Sequence, residues 1–326
     1  MVTSGKKKLE PRLNLLVILG PTASGKTRLG VEAARNLGGE IISADSRQVY
    51  RGMDIGTGKD LAEYGAVPHH LIDIVDPGYE FNLFEYQQRF YESFADIHRR
   101  GNLPVMVGGT GLYIEAVLQR YEMVEAPKNI ELRKELESLS HDDLIARLLR
   151  LKPDQHNVTD LKNRNRLIRA LEVETAKAQA ELKDEEPPGS RPDQHNHNSL
   201  VFPDLYPAVF GLKWNRQLLR RRITARLKDR LGHGMIEEVK QLLIKGVAPE
   251  TLDFYGLEYR FVARFLTGKL NRNDMFQKLN SAIHRFAKRQ ETWFRRMERR
   301  GTMITWLEGD GDPLAELLKV MRQKEM

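Results

Sequence analysis

Leu13-Asn-Leu-Leu-Val-Ile-Leu19, followed at once by Gly20-Pro-Thr-Ala-Ser-Gly-Lys-Thr27, is the stretch on which the reading of this chain turns. The first seven residues suit a buried strand. The next eight match G-x-x-x-x-G-K-[ST], the P-loop pattern, and Arg28 to Leu37 read on as a helix. Strand, glycine loop and helix make an anion cradle, because backbone N–H groups converge on the ligand and the helix N-terminus adds positive dipole. Gly20 and Gly25 let the chain turn tightly and approach phosphate oxygens with no Cβ in the way. On this reading Gly20, Pro21, Thr22, Ala23, Ser24, Gly25, Lys26 and Thr27 line the cradle. Lys26 reaches the terminal phosphates and the Thr27 hydroxyl ligates Mg²⁺. The loop alone does not say which phosphorylated molecule it holds.

Outward from the loop, strands and helices alternate. Glu40-Ile-Ile-Ser-Ala-Asp45 reads as a short strand ending in a carboxylate, and Leu71-Ile-Asp-Ile-Val75 as another strand closed by Asp76-Pro-Gly78. Leu83, Tyr86, Phe90, Phe94 and Ile97 recur at helical spacing, and Leu103-Pro-Val-Met-Val107 follows as a strand. This rhythm predicts an α/β fold with a P-loop NTPase-like parallel sheet flanked by helices. From about Lys128 the character changes. Glu131 to Arg150 and Arg164 to Ala180 are charged and helical in pattern, with no strand between them, which predicts an inserted small all-helical domain. Residues 183–199 have almost no apolar content and read as a flexible loop, so His156, His195 and His197 lack a rigid frame for metal. A strand returns at Ala208 to Trp214, then a basic helix over Arg220 to Arg230. Further helices are expected over 233–245, 255–267 and 273–298, with a last strand at Met303 to Leu307.

These elements divide the chain into a flexible basic N-terminus (1–12), the first part of the α/β core (13–125), the helical insertion (126–200), the completion of the core (201–310) and a C-terminal tail helix (311–326). The 326 residues include 40% hydrophobic ones, enough for a proper core. The net charge of +7 and isoelectric point near 9.4 suggest a polyanionic partner, nucleic acid above all, although a basic enzyme without such a partner has the same charge. Cysteine is absent, which excludes disulfides, thiolate zinc sites and a cysteine nucleophile. No run reaches the ~18–20 apolar residues of a membrane span, and the polar start Met1 to Glu10 is unlike a signal peptide. A cytoplasmic monomer is the expectation.

A P-loop ATPase ordinarily places an Asp or Glu at the end of a second apolar strand to organise Mg²⁺ and water. Here the strand 103–107 runs into Gly108-Gly-Thr-Gly-Leu-Tyr113, either backbone close to a ligand or an ordinary strand-to-helix turn. The nearest strand-terminal carboxylate is Asp45. It suits an acceptor-activating base, a kinase carboxylate or a simple turn cap equally well. The residues alone therefore reach phosphate-dependent group transfer and go no further.

Six stretches, taken together and in order, resemble the tRNA dimethylallyltransferases. They are Gly20 to Thr27, Ser43 to Lys59, His69 to Pro77, Val107 to Tyr113, Arg166 to Val173 and Ala287 to Arg295. The resemblance spans residues 13 to about 307. It implies transfer of a five-carbon prenyl group from dimethylallyl diphosphate to N6 of adenosine 37 in tRNAs, with a family preference for those reading codons that begin with U. The P-loop then grips a diphosphate leaving group, with Mg²⁺ on Thr27. By the same resemblance Asp45 takes the N6 proton and Thr22 lies near the reacting oxygen. Lys26 and Arg222 stabilise the departing diphosphate, with Arg226 one turn on. Asp45, Ser46, Arg47 and Gln48 meet the target base, Thr110 approaches tRNA, and Asn165, Arg166, Leu167, Ile168 and Arg169 lie against the nucleic acid. Lys288 and Arg289 are placed at diphosphate or tRNA. The chain departs from the family pattern at Tyr255-Gly-Leu-Glu-Tyr259, at His284-Arg-Phe286 and at Gly58, where the family usually has alanine.

Three other readings use the same loop. An adenylate isopentenyltransferase acting on free nucleotide would keep Asp45 but would not need the long helical insertion or the arginine-rich helices. A small-molecule kinase would want a carboxylate after strand 103–107. A non-catalytic RNA-binding protein would have no need of an intact Lys26, Thr27 and Asp45.

Overall fold

The computed structural model describes residues 13–153, 161–184 and 202–325. The N-terminus 1–12, His156, His195 and His197, and all of the expected loop 183–199 except its first two residues, lie outside them. Lys183 and Asp184 instead end a helix.

Six parallel strands form one sheet in the order β3-β2-β4-β1-β5-β6. They are β1 (Leu15–Leu19), β2 (Gly39–Ala44), β3 (His69–His70), β4 (Leu103–Gly108), β5 (Pro207–Lys213) and β6 (Thr305–Glu308). Strand β1 is central and all five of its residues are fully buried. Its side chains alternate between two cores, as the twofold period of a strand requires. Leu16 and Ile18 pack with Leu29, Val31 and Ala34 of α1 (Lys26–Leu37) and with Leu317 and Met321 of α12 (Pro313–Glu325). Leu15, Val17 and Leu19 face the larger core. It is built on α2 (Leu83–Arg99), α3 (Gly111–Leu118), α7 (Arg216–Gly232), α8 (Met235–Ile244), α9 (Pro249–Tyr255), α10 (Leu257–Leu266) and α11 (Arg272–Arg299).

Local chemistry sets the element ends. Asn82 caps α2 by accepting from the Glu85 N–H, and Asn215 caps α7 through the Gln217 N–H. Helix α1 stops at Gly38, whose φ of 63° is the left-handed cap that glycine adopts freely.

The expected strand Leu71–Val75 is corrected to His69–His70, which pairs with Ile41 and Ile42. Leu71 and Asp73 have φ of 62° and 55°, so the extended chain breaks there. The turn carries Asp73 to the fully buried Lys59 ammonium, which also donates to Asp54 Oδ1 (2.6 Å) and to the Tyr50 carbonyl (2.7 Å). A buried charge needs such partners, and their placement overrides the apolar pattern. The helix expected over 255–267 likewise begins only at Leu257, because Gly256 (φ 142°) separates α9 from α10.

Residues Tyr121–Val201 form a compact unit distinct from the rest of the chain. It contains α4 (Ile130–Ser138), α5 (His141–Leu151) and α6 (Arg164–Asp184). The continuous pattern from Glu131 to Arg150 is two helices, split where Ser140 caps the second by accepting from the Asp143 N–H. Leu136, Leu144, Leu148, Leu167, Ile168 and Leu171 make this unit's own core. Beside it Glu172 is almost fully buried. Burial pushes its carboxyl up, but Arg133, Arg169 and the Asn129 N–H more than offset this and hold it below the usual range.

Candidate active site

The sheet register places the loops of interest on one edge. Gly108 pairs with both Leu19 and Ala44, so β1, β2 and β4 end level. The segments that follow them open together beyond the carboxyl ends of the strands, the usual ligand crevice of such sheets.

The loop after β1 has the geometry of an anion cradle. Gly25 adopts φ 91° immediately before α1, and the Leu29 N–H donates to the Gly25 carbonyl. A Cβ at Gly20 would stand 2.7 Å from Ser24 Oγ, so the buried Ser24 hydroxyl is turned back onto Gly20. The Trp214 indole donates to the Ser24 carbonyl (2.9 Å), and Arg222 Nε donates to the Ala23 carbonyl (2.9 Å). The Arg222 guanidinium also stacks 4.1 Å from the Trp214 ring. Helix α7 thus delivers a cation to the loop, and burial together with Arg226 holds that guanidinium below its ordinary pKa.

Lys26 donates to the Pro21 carbonyl at 3.3 Å. Burial pushes its ammonium down to about 8; Asp45 and Asp60 oppose the shift, while Arg226 and Arg230 reinforce it. Those two arginines lie one and two turns beyond Arg222. Both reach Asp60, Arg226 at 2.5 Å and Arg230 at 3.7 Å. Arg230 is 8% exposed, and its Nη2 would collide with a Cβ at Gly58. Glycine at 58 therefore makes room for a buried guanidinium. Thr22, Thr27 and Lys26 are all partly exposed at this end of α1, and the two hydroxyls have no hydrogen-bond partner among the described residues.

Asp45 follows β2 directly. Its Oδ1 accepts the Arg47 N–H (2.9 Å). Thr110, at the head of α3, donates its N–H to the Ala44 carbonyl (3.1 Å) and accepts the Ser46 N–H on Oγ1 (3.1 Å). Gly108 and Gly109 allow this contact: a Cβ at 108 would lie 2.2 Å from the Ala44 carbonyl oxygen, and one at 109 would lie 3.4 Å from Lys26 Cε. The Gly108–Tyr113 turn is thus backbone packed between the P-loop and the Asp45 segment. Arg47 lies 4.8 Å over the half-exposed Phe254 ring.

Several expected site residues sit elsewhere. Gln48 is buried, accepts from Ser43 Oγ and donates to the Gly58 carbonyl, so it braces the loop rather than facing a ligand. Leu167 and Ile168 are core residues of the helical unit, and their side chains are unavailable to tRNA. They hold α6 so that its polar residues Asn165 and Arg166 stay exposed, while Arg169 pairs with Glu172. Lys288 and Arg289 are exposed on α11. The residue of that stretch that reaches the loops is Gln290: its Oε1 accepts the Thr22 N–H and its Nε2 donates to the Gly109 carbonyl. Nothing in the spacing of Ala287 to Arg295 singles out the glutamine among its basic neighbours.

Among the described residues no group of three His, Asp or Glu side chains converges as a metal centre. The donor set would suit a Mg²⁺ held chiefly by phosphate oxygens and water, as Mg²⁺ commonly binds beside phosphates, and the Thr27 hydroxyl is the protein group that could join it.

The IPP transferase family model matches residues 48–297, and an isopentenyl transferase model matches residues 13–64. The chain is 63% identical to tRNA dimethylallyltransferase 1 of Geotalea uraniireducens over 95% of this chain and 97% of the relative. The chain belongs to the tRNA dimethylallyltransferase family. A second member, tRNA dimethylallyltransferase 2 of Syntrophotalea carbinolica, is 62% identical over 94% of this chain and 98% of its own length. The fold is shared with the tRNA isopentenylpyrophosphate transferase of Bacillus halodurans (TM-score 0.66, 32% identity, 96% and 95% of the two chains). It is also shared with a eukaryotic dimethylallyltransferase whose structures were determined acting on tRNA (TM-score 0.73, 25% identity, 94% and 78%). Family membership removes the small-molecule kinase reading. No helix among the described residues is long and apolar enough to cross a membrane.

Proposed function

We propose that this chain transfers the dimethylallyl group of dimethylallyl diphosphate to N6 of adenosine 37 in tRNA. The observation that carries this is the meeting of a phosphate cradle and an unshared strand-end carboxylate oxygen on one sheet edge. Lys26 and Arg222 lie on one side of the Gly109–Thr110 turn, and Asp45 lies on the other.

In the transfer, the allylic C1–O bond breaks and its electron pair leaves on the diphosphate. The P-loop amides, Lys26 and Arg222 stabilise that charge as it develops. Mg²⁺ on Thr27, when bound, adds Lewis-acid stabilisation of the same charge. The N6 lone pair forms the new N–C1 bond. N6 is a weak nucleophile because its lone pair is delocalised into the ring, so its proton must pass to a positioned acceptor, and Asp45 Oδ2 is that acceptor. The target base has to leave the stack of its loop to reach the crevice.

The test supplies labelled dimethylallyl diphosphate and Mg²⁺ to an anticodon stem-loop bearing A36-A37-A38, and separately to AMP, ADP and ATP, with mass spectrometry of the nucleosides. The stem-loop is expected to be modified with kcat/KM at least ~100-fold above any mononucleotide, because many phosphate contacts fix one base in place. Efficient labelling of a free nucleotide with little on the stem-loop would overturn the tRNA reading in favour of the adenylate enzymes.

A further inference from the structure

We propose that Gln290 is the positioning residue that sets the separation between the leaving diphosphate and the proton-accepting Asp45; the proposal rests on the transfer reaction above. Gln290 is 7% exposed, and its carboxamide is used at both ends. Oε1 accepts the Thr22 N–H at 2.9 Å, and Nε2 donates to the Gly109 carbonyl at 2.8 Å. Beyond Gly109 the linkage continues through Thr110, which takes the Ser46 N–H at 3.1 Å, to the Arg47 N–H on Asp45 Oδ1 at 2.9 Å. One amide therefore joins the P-loop to the turn, and the turn joins the acceptor segment.

The chemistry of the position is specific. The site needs one acceptor and one donor a carboxamide's width apart, facing a backbone N–H and a backbone carbonyl. Glutamine supplies both, glutamate lacks the donor, and methionine lacks the donor and offers only a weak sulfur acceptor. Because Gln290 occupies the Thr22 backbone N–H, Thr22 is oriented while its hydroxyl stays unpartnered among the described residues. Gly109 is matched to this contact, since a Cβ there would stand 2.5 Å from Nε2. The base of the strap is rigid. Helix α11 is buried at Ala287, Phe294 and Met297, and its Arg296 and the capping Arg300 that follows it pair with the buried Glu115 of α3 at 3.2 and 2.9 Å. A displacement reaction is steep in the separation of its reacting atoms, and a shift of about 1 Å costs on the order of 10² in rate.

The test uses the full chain, dimethylallyl diphosphate and the anticodon stem-loop. It compares the wild type with Gln290→Met, Gln290→Glu, Thr110→Val and the double variant Gln290→Met/Thr110→Val. Single-turnover transfer by Gln290→Met is expected to fall ~100-fold, with diphosphate Kd and stem-loop Kd within roughly threefold of wild type. Gln290→Glu keeps the acceptor but not the donor and is expected to fall at least ~10-fold, so it carries the test if the methionine variant does not fold. The double variant is expected to be within about threefold of the slower single, because both substitutions cut one linkage. The strap is overturned by near-wild-type transfer in the glutamine variants. It is equally overturned by a loss of rate matched by an equal loss of diphosphate affinity and thermal stability, or by a double variant that falls as the product of the singles. Absence of transfer by the wild type would instead overturn the proposed reaction.

Discussion

The Lys26 ammonium sits within the influence of Arg226 and Arg230 as well as Asp45 and Asp60, and burial outweighs its acidic neighbours. Its folded pKa of about 8 lies below the ordinary 10.5, so in the free protein its charge is lost as pH rises through about 8. A bound diphosphate favours the charged form and draws the pKa back up. Binding above pH 8 must then take up a proton, and affinity must fall with rising pH. The KM for dimethylallyl diphosphate is expected to be level to about pH 7.5 and to climb beyond 8, while Lys26→Arg, which stays charged, abolishes the climb. Calorimetry in buffers of different ionisation heat measures the uptake directly, and no proton uptake at pH 9 would contradict the assignment. Asp45 offers the complementary experiment. Asp45→Asn keeps the acceptor for the Arg47 N–H but cannot take a proton. Stem-loop binding should persist while single-turnover transfer drops by about 10²–10⁴. A near-normal rate would mean that water or the departing diphosphate takes the N6 proton.

Strand β2 carries Asp45 into the site, and a buried ion cluster anchors the strand's other end. Glu40 is 1% exposed. It accepts from both Arg100 nitrogens, from Asn102 (2.6 Å) and from His70 (2.8 Å). Burial alone would raise its pKa, but the bonds from Arg100, His70 and Asn102 bring it down to about 2. A depressed carboxylate contributes stability that is present above its unfolded pKa near 4.5 and is lost as pH falls through its folded value near 2. Glu40→Gln should therefore cost about 2–3 kcal/mol at pH 7, with the difference from wild type vanishing near pH 2. Urea titrations across that range would read it, and a constant difference would refute the linkage. Elements of this kind show what sequence conveys. The stripe Tyr86, Phe90, Phe94 and Ile97 was legible because all four are buried on one face of α2. Leu71 to Val75 looked equally apolar. There the buried Lys59 ammonium draws in Asp73 from the middle of the run and bends the chain, and the apolar pattern of the run itself does not encode that contact. Gln290 was hidden for the same reason: its meaning lies in a backbone N–H and a carbonyl far away in the chain.

At the scale of the whole molecule, the insertion was legible as a change of composition. Which of Asn165 to Arg169 point outward was not, because a helix's buried side depends on its neighbours, and here Leu167 and Ile168 complete a separate core. The unit Tyr121–Val201 has that core to itself, and the rest of the chain has its own two. The chain leaves and re-enters the α/β unit at one place, where the Arg120 guanidinium donates to the Pro203 carbonyl at 3.1 Å. Residues 121–201 can therefore be replaced by a short flexible linker from Arg120 to Phe202 without spanning a distance the linker cannot reach. The P-loop, Asp45, Thr110 and Gln290 all remain. Diphosphate binding is expected to stay within roughly threefold of the intact chain, while the KM for tRNA rises about tenfold or more, since phosphate contacts supply most of the affinity and fix the register. The two proteins should also differ in salt response. Each lost phosphate contact reduces the slope of log affinity against log salt by roughly 0.7–0.9. The truncated chain should thus show both a weaker and a flatter dependence. Unchanged tRNA affinity with an unchanged slope would place the grip on the α/β unit, with its arginines on α7 and α11, and leave the helical unit some other task.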